Sequence, residues 1–295
     1  MDESSKSLVN IGDLAKPAEA LVNKISDAVG GLLAPWQIKR VAKADAEAAI
    51  MKAQGQIEVT DLQRRAMRRF VAEEASRQKN IEDITAKALP QLTDAAKPDA
   101  MENDWVTNFF DKSRIVSDEE MQSLWARVLA GEANAPGTYS KRTVNFLADL
   151  DKTDAELFSR LCGFGWQIAD VVPVVFDTDA EIYNSQKINF NALIHLESIG
   201  LIQFNSLTGF RRRKLPKRFP VFYYGRLLAL ELPKETDNYL DIGKVLLTNV
   251  GQQLAPISGS KPVDGFWEYV TERWKEYFPK PHSPDATAET AAPQS

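Results

Sequence analysis

The sequence predicts an α+β chain, mainly α: a helical N-terminal part, then a winged-helix-like module, then a C-terminal helix. Three observations predict it. Apolar residues recur at helical spacing through the first 160 residues. Runs rich in β-branched and aromatic residues begin near residue 165. A short helix, a strand, a hairpin-like stretch and a threonine-capped helix then follow in that order. At 295 residues the chain is long enough for more than one core. The expected segments are an amphipathic stretch at 1–36, long paired helices at 37–97, a helical platform at 98–164, the winged-helix-like module at 165–258, a closing helix at 259–279 and a disordered tail at 280–295.

Within the first segment Leu21, Val22, Ile25, Ala28, Val29, Leu32 and Leu33 follow helical spacing, with Pro17 placed for a first turn. Gly30, Gly31 and Pro35 end that pattern, and an alanine-rich charged stretch to about residue 54 reads as an exposed helix. The next helix carries only a narrow stripe, Leu62, Phe70, Ile81, Ile84 and Leu89, among dense charges. Such a stripe is buried by antiparallel packing on residues 37–54 or on a second subunit. Arg64, Arg65, Arg68 and Arg69 are a phosphate-binding candidate, but Asp61, Glu73 and Glu74 beside them also read as an ion-paired helix face.

After Pro98, Ser117 with Glu120 and Thr153 with Glu156 have the spacing of reciprocal helix caps. Asp151, Asp154 and Glu156 are therefore read as helix-start charges and not as a catalytic carboxylate group. Trp105, Phe109, Phe110, Leu124, Trp125, Val128 and Leu129 supply a core that faces Val144, Phe146, Leu147 and Leu150. The glycine- and proline-punctuated stretch at 131–140 reads as the loop between these helices.

The run EEMQSLWARVLAGEANAPGTYSKRT at 119–143, DW at 104–105, LDKTDAELF at 150–158 and DAVGGLLAPWQIKR at 27–40 together resemble an uncharacterised bacterial family, Domain of Unknown Function 2806. The resemblance spans about residues 10 to 260. It brings no catalytic residues with it, and what it implies of biology is an association with phage-defence or abortive-infection genes.

In the second half, ADVVPVVF at 169–176, AEIY at 180–183 and LIQF at 201–204 read as strands. A helix before LIQF ends at Gly200 and carries Asn191, His195 and Ser198 on one polar stripe, the kind of stripe that reads base edges or simply faces solvent. Residues 210–226 hold Arg211, Arg212, Arg213, Lys214, Lys217, Arg218 and Arg226 with no acidic residue, interleaved with Phe210, Phe219, Phe222, Tyr223 and Tyr224. In a chain of net charge −5 this is the sharpest local departure. A basic, aromatic-studded hairpin neutralises phosphates and stacks on bases, or else is solvated and docks on an acidic surface. The helix at 264–278 presents Phe266, Val270, Trp274 and Tyr277 on one face for docking on the body of the protein.

Catalytic chemistry finds little support. Two histidines and one cysteine, Cys162, leave no histidine zinc site and no thiolate cluster. DIGKVLLT at 241–248 lacks the upstream glycine of a phosphate loop, GFG at 163–165 lacks the third glycine of a dinucleotide turn, and no GxSxG elbow occurs. No cofactor is expected. The polar opening and the lone, apolar-flanked cysteine predict a cytoplasmic protein. The expected function is a non-enzymatic binding protein that self-associates through its N-terminal helices and contacts nucleic acid or a protein partner through the basic module. The alternatives are a membrane-acting effector that uses the apolar face from Leu21 to Trp36, and an enzyme without a recognisable motif.

Overall fold

A computed structural model describes residues 16–29 and 60–279. It shows a mainly helical, mixed α/β chain with one four-stranded and two two-stranded sheets. The chain divides into two compact units, Met1–Ala155 with Pro256–Ser258, and Glu156–Ala255 with Gly259–Ser295.

The described part of the first unit is helical. It contains α1 (Lys16–Ala28), α2 (Asp61–Ala88), α3 (Asn103–Ser113), α4 (Glu119–Asn134), α5 (Lys141–Ala148) and the start of α6 (Lys152–Cys162). α2 packs on α4, α3 packs on α5, and α1 packs on α3. The expected aromatics make the centre: Trp105 stacks on Phe109, with ring centroids 5.2 Å apart, and Trp125 meets the Phe109 ring edge-on at 5.1 Å. A buried polar strand of contacts ties α2 to α4. Asn80 Nδ2 donates to the Arg114 carbonyl at 2.9 Å, Gln122 Nε2 donates to the Val116 carbonyl at 2.9 Å, and Lys87 Nζ donates to Gln122 Oε1 at 2.6 Å.

Two expected caps sit elsewhere. α4 is capped by Asp118, not Ser117: its carboxylate accepts from the backbone amides of Glu120 and Met121, both at 3.0 Å. α6 begins at Lys152, one residue before Thr153, and the Asp151 carbonyl accepts the Asp154 and Ala155 amides. Both expectations misplaced the start of a helix in a stretch with several capable residues, because the choice is made by which residue takes the extended backbone conformation.

The apolar face of α1 is partly covered. Ala18, Leu21 and Ile25 are buried. The rest of the stretch to Trp36, and the expected helix at 37–54, lie outside the described residues. Among the described residues no helix is long and apolar enough to cross a membrane.

The second unit is α+β. Strands β1 (Gly165–Ile168) and β2 (Asp170–Pro173) lead to the short helix α7 (Glu181–Asn184) and to α8 (Phe190–Ser198). The strand expected at AEIY is therefore a helical turn. Tyr183 within it is buried, donates to the Val174 carbonyl at 3.0 Å and accepts from the Phe176 amide at 3.2 Å, contacts that a residue-type preference for strand does not see.

Six strands follow: β3 (Ile202–Phe204), β4 (Phe210–Leu215), β5 (Arg218–Tyr223), β6 (Arg226–Glu231), β7 (Asn238–Gly243) and β8 (Val245–Leu247), then α9 (Asn249–Leu254) and α10 (Phe266–Arg273). β3 pairs antiparallel with β8 and β4 with β7, so the chain runs out and back as one two-stranded path. The path passes over Val175 at Gly243, whose φ of 90° suits glycine and where a Cβ would meet the Val175 carbonyl oxygen at 2.4 Å. At its far end the hairpin β5–β6 is inserted. Tyr224 and Gly225, with φ of 45° and 83°, form its two-residue turn with both central residues left-handed, and β5 joins β1 to complete the sheet order β2-β1-β5-β6.

α10 buries Phe266 and Val270, with Trp274 just beyond its last residue. Trp166 lies between Tyr223 and Trp267, each ring centroid 5.2 Å away, and meets Trp274 edge-on. The expected docking face of the last helix is thus the lid of an aromatic core. Thr248 caps α9 by accepting from the Gly251 amide at 3.1 Å, and Gly200 with φ of 87° ends the α8 turn, both as the residues predict.

Candidate functional site

Of the seven cations between residues 210 and 226, six lie on β4, β5 and β6 and Lys217 lies in the link between β4 and β5, and they meet different surroundings. Arg211 and Arg213 share one face of β4, opposite Asp241 and Tyr239 of β7, while Arg212 takes the other face opposite Leu240. Arg211 Nε lies 2.6 Å from Asp241 Oδ1, and its guanidinium sits 4.9 Å from the Tyr239 ring centroid. The bond to Asp241 stabilises the charged guanidinium and raises its already high pKa.

Three further cations have carboxylate partners. Arg212 Nη1 is 3.2 Å from Asp170 Oδ2, Lys217 Nζ is 2.8 Å from Glu235 Oε1, and Arg226 Nη1 is 3.7 Å from Glu268 Oε1. The Glu235 bond holds the Lys217 ammonium above its usual pKa. Arg226 also lies 3.8 Å over the Trp267 ring, the outer face of the aromatic stack that runs through Trp166 to Tyr223.

Arg213, Lys214 and Arg218 differ: among the described residues none has a carboxylate oxygen within 4 Å, and all three are exposed. Lys214 sits in a register shift of β4 with φ of 59°, so its side chain leaves the regular alternation. Arg218 faces Glu231 in the β5–β6 ladder without a close ion pair. Every recorded pair in this region is itself solvent-exposed, and exposed pairs exchange readily with a competing anion.

The expected aromatics divide. Tyr223 is a core residue, donating to the Gly163 carbonyl at 2.8 Å and accepting from the Val263 amide at 2.7 Å, and burial pushes its hydroxyl pKa up to about 12. A base has no access to that ring. Phe222, Tyr224 and Leu227 remain exposed, and Phe222 pairs with Leu227 across the hairpin.

On α8, Asn191, His195 and Ser198 are exposed on one face, as the spacing predicts. The Ser198 hydroxyl donates back to the His195 carbonyl at 2.7 Å, and Phe190 and Ile194 are also exposed beside the stripe. Cys162 is a buried thiol.

One feature escaped the residue pattern. A cleft of about 450 Å³ in the first unit is lined by Glu102, Trp105, Glu132, Tyr139, Ser140 and Lys141, among others. Its floor is the buried carboxylate of Glu132, which accepts from the Gly137 amide at 2.6 Å and the Tyr139 amide at 2.8 Å. Trp105 Nε1 donates to the Tyr139 carbonyl at 2.7 Å, and burial with the nearby Glu132 charge pushes the Tyr139 hydroxyl up to about 12. Both carboxylate oxygens are used in holding the loop after α4, so its arrangement is structural. A glutamate near the end of a helix reads as a surface residue, and nothing local marks it as buried. Among the described residues no group of three or more histidine, cysteine, aspartate or glutamate side chains is placed to hold a metal ion.

No curated protein and no solved structure matches this chain. The model of a protein family of unknown function, DUF2806, matches residues 64–271, from the exposed arginines of α2 through the basic strands to α10, and the chain belongs to that family.

Proposed function

We propose that this protein is a non-enzymatic binding protein whose second unit docks on the phosphate backbone of a nucleic acid through Arg213, Lys214 and Arg218, and that it self-associates through its N-terminal helices. The observation that carries the docking surface is the set of three exposed cations that have no carboxylate within 4 Å among the described residues, in a chain that is acidic overall. Arg211, Arg212 and Lys217 adjoin them along the chain in exposed pairs that an incoming phosphate displaces at little cost, while Arg226 stands at the turn end of the hairpin, the opposite end from Arg218.

The order of elements supports a winged-helix-like reading of the module. α7 and α8 precede β3, the out-and-back path of β3–β4 and β7–β8 stands where a wing stands, and α9 ends the module ahead of α10. In that reading α8 turns Asn191, His195 and Ser198 toward the ligand, and its lack of arginine makes the contact one of backbone charge more than of base sequence.

The test is a titration of the full chain with duplex DNA and with single-stranded RNA at low salt, against a variant carrying Arg213→Glu, Lys214→Glu and Arg218→Glu. Binding by the wild type that the variant loses by at least about a hundredfold is the expected result. Equal affinity of the two proteins, or no binding of either nucleic acid by the wild type, removes this surface from the account.

A further inference from the structure

One helix, α2, lives in two environments. From Asn80 to Ala88 it is buried on one face by Ile81, Ile84 and Ala88, whereas every residue from Thr60 to Glu73 is exposed. At 100° per residue, Leu62, Ala66, Phe70 and Met67 fall in the same arc of about 140° as Ile81, Ile84 and Ala88. Among the described residues, the apolar face that the first unit buries gives way to a charged turn at Glu73, Glu74 and Arg77 and then resumes uncovered toward the N-terminus, with Leu62 68% and Phe70 59% exposed. A helical stretch of about 20 Å without tertiary packing is marginal in water, and four apolar side chains along it mark a contact surface.

We propose that this exposed half of α2 pairs antiparallel with the same segment of a second copy of the chain, with the two-fold axis at Phe70. The charges select both the partner and its direction. Arg64, Arg65, Arg68 and Arg69 lie before Phe70, and Glu73 and Glu74 lie just after it. An antiparallel pair crossing at Phe70 sets the arginines of one copy along the glutamates of the other. Arg69 and Glu73 of the second copy then share a flank, about two residues apart in axial register.

A parallel pair sets arginine beside arginine over the same length, which repels. Arg65 and Arg68 have no carboxylate within 4 Å among the described residues, and the existing bond of Arg69 to Glu73 is an exposed i,i+4 pair that exchanges without large loss. The same face closes on itself across a two-fold axis, as an isologous interface requires.

This pairing rests on the self-association in the proposed function and not on the basic strands, so the experiment separates them. The full chain is sedimented over a range of micromolar concentrations as wild type, as Phe70→Glu and as the triple Glu variant of Arg213, Lys214 and Arg218. A wild-type dimer that the triple variant keeps, and that Phe70→Glu weakens by at least about tenfold with an unchanged thermal melt, is the expected result. A monomeric wild type overturns the pairing, and a dimer unaffected by Phe70→Glu overturns it while leaving self-association elsewhere standing.

Direction is read by oxidation, since the one native cysteine, Cys162, is buried. Phe70→Cys is expected to form a disulfide dimer, as is a mixture of Ala66→Cys with Glu74→Cys. Ala66→Cys alone is not, because its two copies sit about 12 Å apart along the axis, beyond disulfide reach. A disulfide dimer of Ala66→Cys alone, or none from Phe70→Cys, overturns the antiparallel arrangement even if Phe70→Glu proves unfolded.

Discussion

The two units handle charge in opposite ways. In the first, the carboxylate of Glu132 is buried, has no cation within 4 Å among the described residues and accepts from two backbone amides that hold the loop after α4. In the second, the cations of β4 to β6 stand in solvent and either meet exposed carboxylates or none. A buried charge held by backbone donors is part of the fold, and its removal is felt throughout the unit. Exposed pairs add little to stability, and for that reason they remain available to a partner. Charge number alone does not distinguish these roles; the surroundings do.

The sharpest way to break this contrast is Glu132→Ala. It leaves two amides and a small void in the interior and is expected to cost roughly 2–5 kcal/mol, seen as a lower urea midpoint with an unchanged slope. A loss no larger than that of a surface substitution would make Glu132 an ordinary exposed residue. A smaller loss, about 1 kcal/mol, is expected for Thr248→Ala, which removes the cap of α9 and stands as the neutral reference in the second unit.

Asp241→Asn is expected to leave stability nearly unchanged while it frees Arg211, so affinity for duplex DNA rises. A fall in affinity would place Asp241, and not Arg211, in the contact.

The smallest effect concerns acid. The Met121 amide, with Lys152 and the Glu120 amide, holds the Asp118 carboxyl below its usual value. Its contribution is complete above the unfolded value of about 3.9 and is lost as pH falls through the lower folded value. Asp118→Asn keeps a capping oxygen but not the charge, so its thermal melts are expected to lie slightly below the wild type at neutral pH and to converge with it as pH falls below about 4.

What could be read from the residues follows the range of the interactions. Local signals held: the Thr248 cap, the Gly200 stop and the inward face of Phe266, Val270 and Trp274 all depend on neighbours within a few positions. The carboxylates that meet the basic strands were not legible, because Asp170 and Asp241 reach Arg212 and Arg211 only through strand placement. Glu132 was hidden for the same reason. Tyr183 turned a strand-like run into a helical turn by bonding at Val174 and Phe176, and Asp118 displaced Ser117 because two capable residues stood side by side. The stripe of α2 was legible as apolar, but not where along the helix its cover ends.

The most direct test of the account is the salt dependence of duplex DNA binding, compared between the wild type and a variant carrying Arg213→Ala, Lys214→Ala and Arg218→Ala. Loss of three phosphate contacts predicts a slope of log affinity against log salt that is shallower by about three units in the variant. Parallel lines for the two proteins would contradict it.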